Sequence, residues 1–297
     1  MTTPLRVTER GIGMRSLANL QTNLTRLGQL QEQLSSGKLI NRPSDSPTGT
    51  VSSMQLRGQL RANQQYQRNA QDGLSWLGTT ETALTSAVSS VQRVRDLLLQ
   101  GMSSGTAGSP TAQAALATEV SSIQQELVGL GNTTYLNRPV FGGTTAGATA
   151  YDSNGNYVGD GGQVTRTVGD NDQVRVDITG PEAFGTGNTQ IFQVVGDIAS
   201  HLKSDPSQLG ADLDRLDAAA ATMQNQLSSI GARYNRITTA QQNSTDLTTT
   251  LTGNLSQVED VDLPKTITDL QMQQVAYQAA LGATAKVVQP SLVDFLQ

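Results

Sequence analysis

Apolar positions near the start of the chain recur in alternating steps of three and four. Leu17, Leu20, Leu24, Leu27 and Leu34 make one such row, with Gln31 in its missing slot. Steps of this kind line one stripe of an α-helix, and a sustained heptad row is the seam of a coiled coil. The row predicts a helix that stops near Gly37, a residue suited to the left-handed position after a helix. Pro43 and Pro47 then impose a non-helical connector across NRPSDSP. A second helix is expected from about Pro47 to beyond residue 100. Its seam reads Ala70, Leu74, Leu77, Leu84, Val88, Val91, Leu98 and Met102, with Glu81 and Arg95 in two core-phase slots. The turn cluster SSGTAGSP at 103–110 precedes a third helix carrying Leu116, Val120, Ile123, Leu127 and Leu130.

The C-terminal part mirrors this pattern. Leu209, Leu213, Leu216, Ala220, Met223, Leu227, Ile230, Tyr234 and Ile237 step 4-3-4-3 without a break, and Leu247, Leu251, Leu255 and Val258 prolong the row. About 50 helical residues would reach ~75 Å, longer than a compact domain of this size is wide. A last helix is expected near Asp262 and Pro264, a cap-like residue followed by proline in the first turn. It carries one apolar stripe through Ile267, Leu270, Tyr277, Leu281, Val288 and Phe295, and another through Met272, Val275, Ala279, Leu292 and Leu296. A helix apolar on two faces wants more than one partner.

The middle of the chain is different, rich in Gly, Asp, Asn and Thr. Asn154-Gly155 between short β-prone runs is a hairpin signal. QVTRTVGDNDQVRVDITG, with Val164, Val168, Val174, Val176 and Ile178, reads as a second hairpin. The expected fold class is mainly α: an elongated antiparallel coiled-coil or helical bundle built from both chain ends, with a small inserted β domain. The boundaries are terminal assembly helices at 1–45 and 260–297, a helical bundle at 46–139 and 204–259, and a β-rich insert at 140–203.

Composition narrows the chemistry. Apolar residues are 36% and aromatics 4% of the 297 residues, which suits long thin helices better than a thick core. There is no cysteine, so disulfides, thiolate metal sites and cysteine nucleophiles are excluded. The single histidine, His201, excludes paired-histidine zinc motifs, and it reads as a polar residue at the edge of the insert. A net charge of −5 leaves no global basic footprint for nucleic acid. No apolar stretch is long enough to span a membrane, and MTTPLRVTERGIG lacks the apolar core of a secretory signal. Asp212, Asp214 and Asp217 read as capping or solvated acids near a helix start. GDGG at 159–162 and GDND at 169–172 lack the spacing of calcium loops and read as turns. Trp76 reads as a core anchor. No catalytic, cofactor or metal residue is expected. Residues 1–42 hold six Arg or Lys against two Glu, whereas residues 259–297 hold five acids against Lys265 and Lys286. Opposite charge favours pairing of the two ends.

Several stretches carry a resemblance. LSSGKLINRPSDSPTG (34–49), RNAQDGLSWLGTTETAL (68–84) and VQRVRDLLLQG (91–101) resemble the N-terminal helical region of the flagellin superfamily. Within it, LNRPVFGGTTA (136–146), the insert YVGDGGQVTRTVGDNDQVRVDITGPEAFG (157–185) and the ending ITDLQMQQVAYQAALGATAKVVQPSLVDFLQ are similar to members that stand between hook and filament. The alternative within the family is a filament subunit, a flagellin proper. Ser46 departs from the family pattern by replacing a second acid before Pro47, with Asp45 left as the turn acceptor.

The resemblance implies a structural protein, not an enzyme. It is exported without a cleaved signal peptide to the extracellular flagellum and assembled through its terminal helices. The implied assembly residues are Leu17, Leu20, Leu24, Leu27, Leu34, Ile267, Leu270, Val275, Leu281, Val288, Leu292 and Phe295. The implied partners are a neighbouring hook-associated protein, flagellin, copies of the chain itself, and a cytoplasmic export chaperone on the C-terminal helix through Leu281, Val288 and Phe295. A signalling coiled coil has similar Ala/Ser/Gln heptads but does not account for the insert.

Overall fold

The computed structural model describes residues 4–103, 105–106 and 109–288, with side chains described from residue 11 to 285 except Ile12. The chain is mainly helical. Helix α1 spans Pro4–Ser36, α2 Pro47–Met102 and α3 Pro110–Gly131. The hairpin β1 (Thr134–Tyr135) and β2 (Arg138–Pro139) follows, then β3 (Thr165–Gly169) and β4 (Asp172–Arg175). Helices α4 (Gly180–Phe184), α5 (Ile191–Ser204), α6 (Leu209–Glu259) and α7 (Leu263–Val288) complete the order. Among the described residues, one compact unit comprises the chain up to Arg61 and from Thr248 onward, and the other is Ala62–Leu247. The division falls inside α2 and α6, and residues 140–203 belong to the central unit.

In the terminal unit the predicted stop signals do their work. Gly37 takes φ +70° after α1, and its N–H donates to the Gln33 carbonyl at 2.9 Å. In the connector, one Asp45 carboxylate oxygen accepts the N–H of Asn41 and of Arg42 at 3.0 and 2.8 Å. Ser46 accepts the Gly49 N–H at 3.1 Å and so caps α2 ahead of Pro47.

The central unit is built on α2 and α6, which run antiparallel. Asn63 faces Ser244, Gln71 faces Gln241, and Arg95 pairs with Asp217 at 2.8 Å. Arg93–Glu119 and Ser90–Glu126 contacts set α3 antiparallel to α2. The buried face of α2 includes Leu77, Leu84, Val91 and Leu98, as the heptad row predicts, and Trp76 is buried beside them. At the slots of Glu81 and Arg95 the seam reaches solvent: both charged residues are exposed, and Thr80 and Val94, one position earlier, are buried in their place. A wide stripe absorbs that shift, because residues at steps of three and four share a face.

The insert departs most from expectation. The second hairpin forms as predicted, pairing β3 with β4, and Asn171 turns it at φ +56°. At the first predicted hairpin only a tight turn forms. Tyr151 bridges Tyr157 across Asn154-Gly155, and Asp152 accepts the N–H of Asn154 and Asn156. Strand content ends there. Residues 191–204 form α5, whose Ile191, Val194, Val195, Ile198 and Leu202 are all buried and which packs along α3. Phe141, Tyr151, Phe184 and Phe192 stack edge-to-face at 4.7–5.8 Å between centroids. These rings and α5 belong to the same continuous core as α2, α3 and α6.

His201 sits in the last turn of α5 and bonds Asp212 of α6 at 2.6 Å. Asp212 is buried and also accepts from Arg215 at 3.1 Å, so it is neither a solvated acid nor a cap alone. Asp217 does lie at the surface, paired with Arg95.

Deleting buried methylenes in α5 should therefore unfold the bundle, not merely loosen an appendage. Ile198→Ala is expected to cost about 2–5 kcal/mol in urea unfolding followed by helical circular dichroism. A loss below about 1 kcal/mol, with α2 and α3 unaffected, would show that α5 is peripheral.

Candidate assembly surface

Helices α1 and α7 pack against each other in the terminal unit. They are antiparallel: the Gln273 amide donates to Asn23 Oδ1 at 3.1 Å, and beyond the end of α1 Lys38 meets Asp260. Two helices alone can each bury one stripe. Of the predicted assembly residues, Leu20 is buried, and Leu27, Leu34 and Leu270 are half-buried. Leu17, Leu24, Ile267, Val275 and Leu281 are exposed, Val275 by 66%. Met14 and Met272 are exposed as well. Val288 closes α7, but its side chain, with Leu292 and Phe295, lies outside the described residues.

Each fully buried side chain of this size is worth about 1.5–3 kcal/mol relative to water. A soluble monomer gains nothing from leaving several of them solvated on one helix pair. A polymer subunit gains that amount at each contact it makes.

A polar clasp closes one end of this pair, where the α1–α2 connector meets the α6–α7 break. The backbone makes a short antiparallel bridge: Leu39 N–H donates to the Glu259 carbonyl at 2.6 Å, and Val261 N–H to the Gly37 carbonyl at 3.1 Å. Glu259, 3% exposed, accepts two bonds from the Arg57 guanidinium at 2.8 and 2.7 Å. Lys38 reaches Asp260 at 2.5 Å and Glu259 at 3.6 Å, and Ser256 donates to Asp260. The Arg57 bonds hold the Glu259 carboxyl below its ordinary range, and Lys38 does the same for Asp260.

This is the opposite-charge pairing expected of the chain ends, but it is concentrated at the clasp. Along α1 and α7 themselves no ion pair joins the two helices among the described residues. The sequence reading missed Arg57 and Glu259. The available signal was an acid one position past the end of an apolar row, at Val258.

Among the described residues no group of three His, Asp or Glu side chains could hold a metal ion, and no helix is long and apolar enough to cross a membrane. The site offers apolar rows and a clasp, which is chemistry for association.

Two family models match the chain. The bacterial flagellin N-terminal helical region matches residues 9–144, and the bacterial flagellin C-terminal helical region matches residues 193–296. The chain belongs to the flagellin superfamily. It is a structural component of the bacterial flagellum. The models together take in α1 to the β1–β2 hairpin and nearly all of α5 to α7, and they leave 145–192 between them.

Flagellin of Bacillus subtilis is 28% identical over 96% of this chain and 97% of its own length. Flagellar hook-associated protein 3 of Escherichia coli is 25% identical over 91% of this chain and 92% of its own. The crystal structure of flagellar hook-associated protein 3 from Legionella pneumophila shares the fold, with a TM-score of 0.60 at 16% identity over 69% of this chain and 98% of that one.

The clasp predicts an acid-sensitive contribution to stability. Glu259 has a lowered folded-state pKa, so its contribution is complete above the ordinary value of 4.5 and is lost as pH falls through the lowered one. Glu259→Gln is expected to lower stability by about 1–3 kcal/mol near neutral pH. The gap in Tm to the unmodified chain should close in acid. A gap that stays constant from pH 7 to pH 3 would contradict the assignment.

Proposed function

We propose that this chain forms a junction layer between hook and flagellin filament and assembles through its terminal helices. The exposed apolar rows of α1 and α7 carry the assembly part of this reading, because nothing else in the chain covers them among the described residues. The inserted segment 157–185 and the SLVDFLQ ending, which resemble hook-associated members, favour a junction role over a filament subunit. The neighbours are then a preceding hook-associated protein, flagellin and further copies of this chain. The assembly helices are 1–45 and 260–297, bounded by the connector and the clasp. The role is one of contact, without catalysis.

The same helices serve export. The chain leaves the cytoplasm through the flagellar export channel without a cleaved signal, and a chaperone covers 263–297 through Leu281, Val288 and Phe295 until assembly. Burial of one apolar face by the chaperone prevents premature association.

Immunogold labelling of intact flagella with antibody to residues 145–192 tests the reading. A discrete band where hook meets filament is expected, and label along the whole filament would make the chain a flagellin. Leu24→Asp and Val275→Asp should change the unfolding free energy of the purified chain little, within about 0.5 kcal/mol, because both residues face solvent. Both should sharply reduce incorporation into flagella. Normal incorporation of both variants would remove α1 and α7 from the assembly surface.

A further inference from the structure

The β1–β2 hairpin turns through Leu136 and Asn137, both at positive φ, 48° and 61°. A two-residue turn of this kind favours Asn-Gly, because a Cβ in the left-handed region meets the following carbonyl. Asn137 suits that position and Leu136 does not. Leu136 is also 76% exposed, more than any other large apolar side chain among the described residues. A leucine that is both conformationally strained and solvated is unfavourable for the isolated chain, and strain of this sort marks sites of function.

The hairpin is held rigidly. Tyr135 packs edge-on against buried Trp76 at 5.6 Å, and the Tyr135 hydroxyl bonds Asp72. Directly after the turn, the exposed Arg138 guanidinium lies 5.8 Å from the Trp76 ring centroid, donates to the Thr144 carbonyl at 3.5 Å and acts electrostatically on Asp160, without forming a close ion pair among the described residues. The hairpin therefore presents a leucine at its tip and an exposed cation at its base.

The same unit carries a counterpart elsewhere. Near the end of α2, Leu99 and Met102 are exposed. Asp96, one turn earlier, is exposed and forms no ion pair among the described residues. From Trp76 to Leu99 the helical rise is about 35 Å, so the tip and this face do not meet within one molecule.

We infer that the Leu136 tip of one copy docks on the Asp96–Leu99–Met102 face of a second copy, with Leu136 against the two apolar side chains and Arg138 paired to Asp96. The two surfaces differ, so the contact is heterologous and repeats in one direction, as ring or helical arrays require. The inference rests on the reading of the chain as one that assembles with copies of itself. It adds a contact on the central unit to those of the terminal helices.

Charge reversal in the full chain, expressed in the source organism, tests it. Arg138→Asp and Asp96→Arg should each cut incorporation into intact flagella roughly tenfold, the equivalent of about 1.4 kcal/mol per contact. The double variant, in which every copy carries both reversals, should return to within about twofold of the unmodified chain. Single variants that incorporate normally, or a double variant no better than the weaker single, would overturn the contact.

Leu136→Asn gives an independent readout. It relieves the strain, so the Tm of the purified chain should rise or hold while incorporation falls. A lowered Tm would make Leu136 part of the fold, and normal incorporation would make it idle; either result overturns the inference. Rescue by the double variant in an assembly away from the hook–filament boundary would keep this contact and remove the junction reading. A correctly placed band with no effect of any variant would do the reverse.

Discussion

Asn63 and Ser244 face each other across the seam of α2 and α6, both buried, with the Asn63 amide donating to the Ser244 carbonyl and the Ser244 hydroxyl bonded to the Asn63 side chain. A long heptad seam made of Leu, Val, Ala and Ile is nearly degenerate, since sliding by one heptad buries similar apolar area. A buried polar pair removes that degeneracy, because every other register leaves its groups without partners in a dry environment. Gln71–Gln241 and Arg95–Asp217 agree with the same register. With α2 and α6 fixed, α3 has a defined groove, α5 packs along α3, and the aromatic cluster forms beside them. The insert is thus placed by a helix register set far from it in sequence.

The terminal unit works under the opposite condition. Its two helices have apolar residues on more sides than two helices can cover. Leu24 and Val275 stay in water, while Leu20 does not. An incomplete core is a defect in a monomer and a set of contacts in a polymer. The clasp of Arg57, Lys38, Glu259 and Asp260 limits the freedom of this arrangement by fixing where α1 ends and α7 begins. It ties the two connectors together by backbone bonds as well as by charge, and the backbone part does not depend on pH. The two units therefore differ: one completes its core internally, and the other leaves apolar side chains exposed.

Much of this was legible in the residues because heptad rows report helices directly. The end of α1, the start of α2 and the length of α6 followed from Gly37, Pro47 and an unbroken row from Leu209. The insert was harder to read. Its Gly- and Asn-rich composition argued for strands, and the apolar row Ile191, Val194, Val195, Ile198 and Leu202 was hidden beside it although it has helical spacing. The β1–β2 turn was also missed, because Leu136 is the wrong residue for its conformation. Local signals report what a segment prefers, and a turn held against preference gives none.

By itself the sequence determined the long helices α1, α2, α3, α6 and α7, their breaks, the absence of cysteine chemistry and the excess of apolar stripes over available partners, because each of these depends on residue type and spacing alone. Tertiary structure decided which stripe each helix buries, that α5 belongs to the bundle core, that Asp212 is a buried partner of His201 and Arg215, and that Glu259 anchors the clasp. Those outcomes depend on residues far apart in the chain meeting at hydrogen-bonding distance, and sequence spacing carries no record of such meetings.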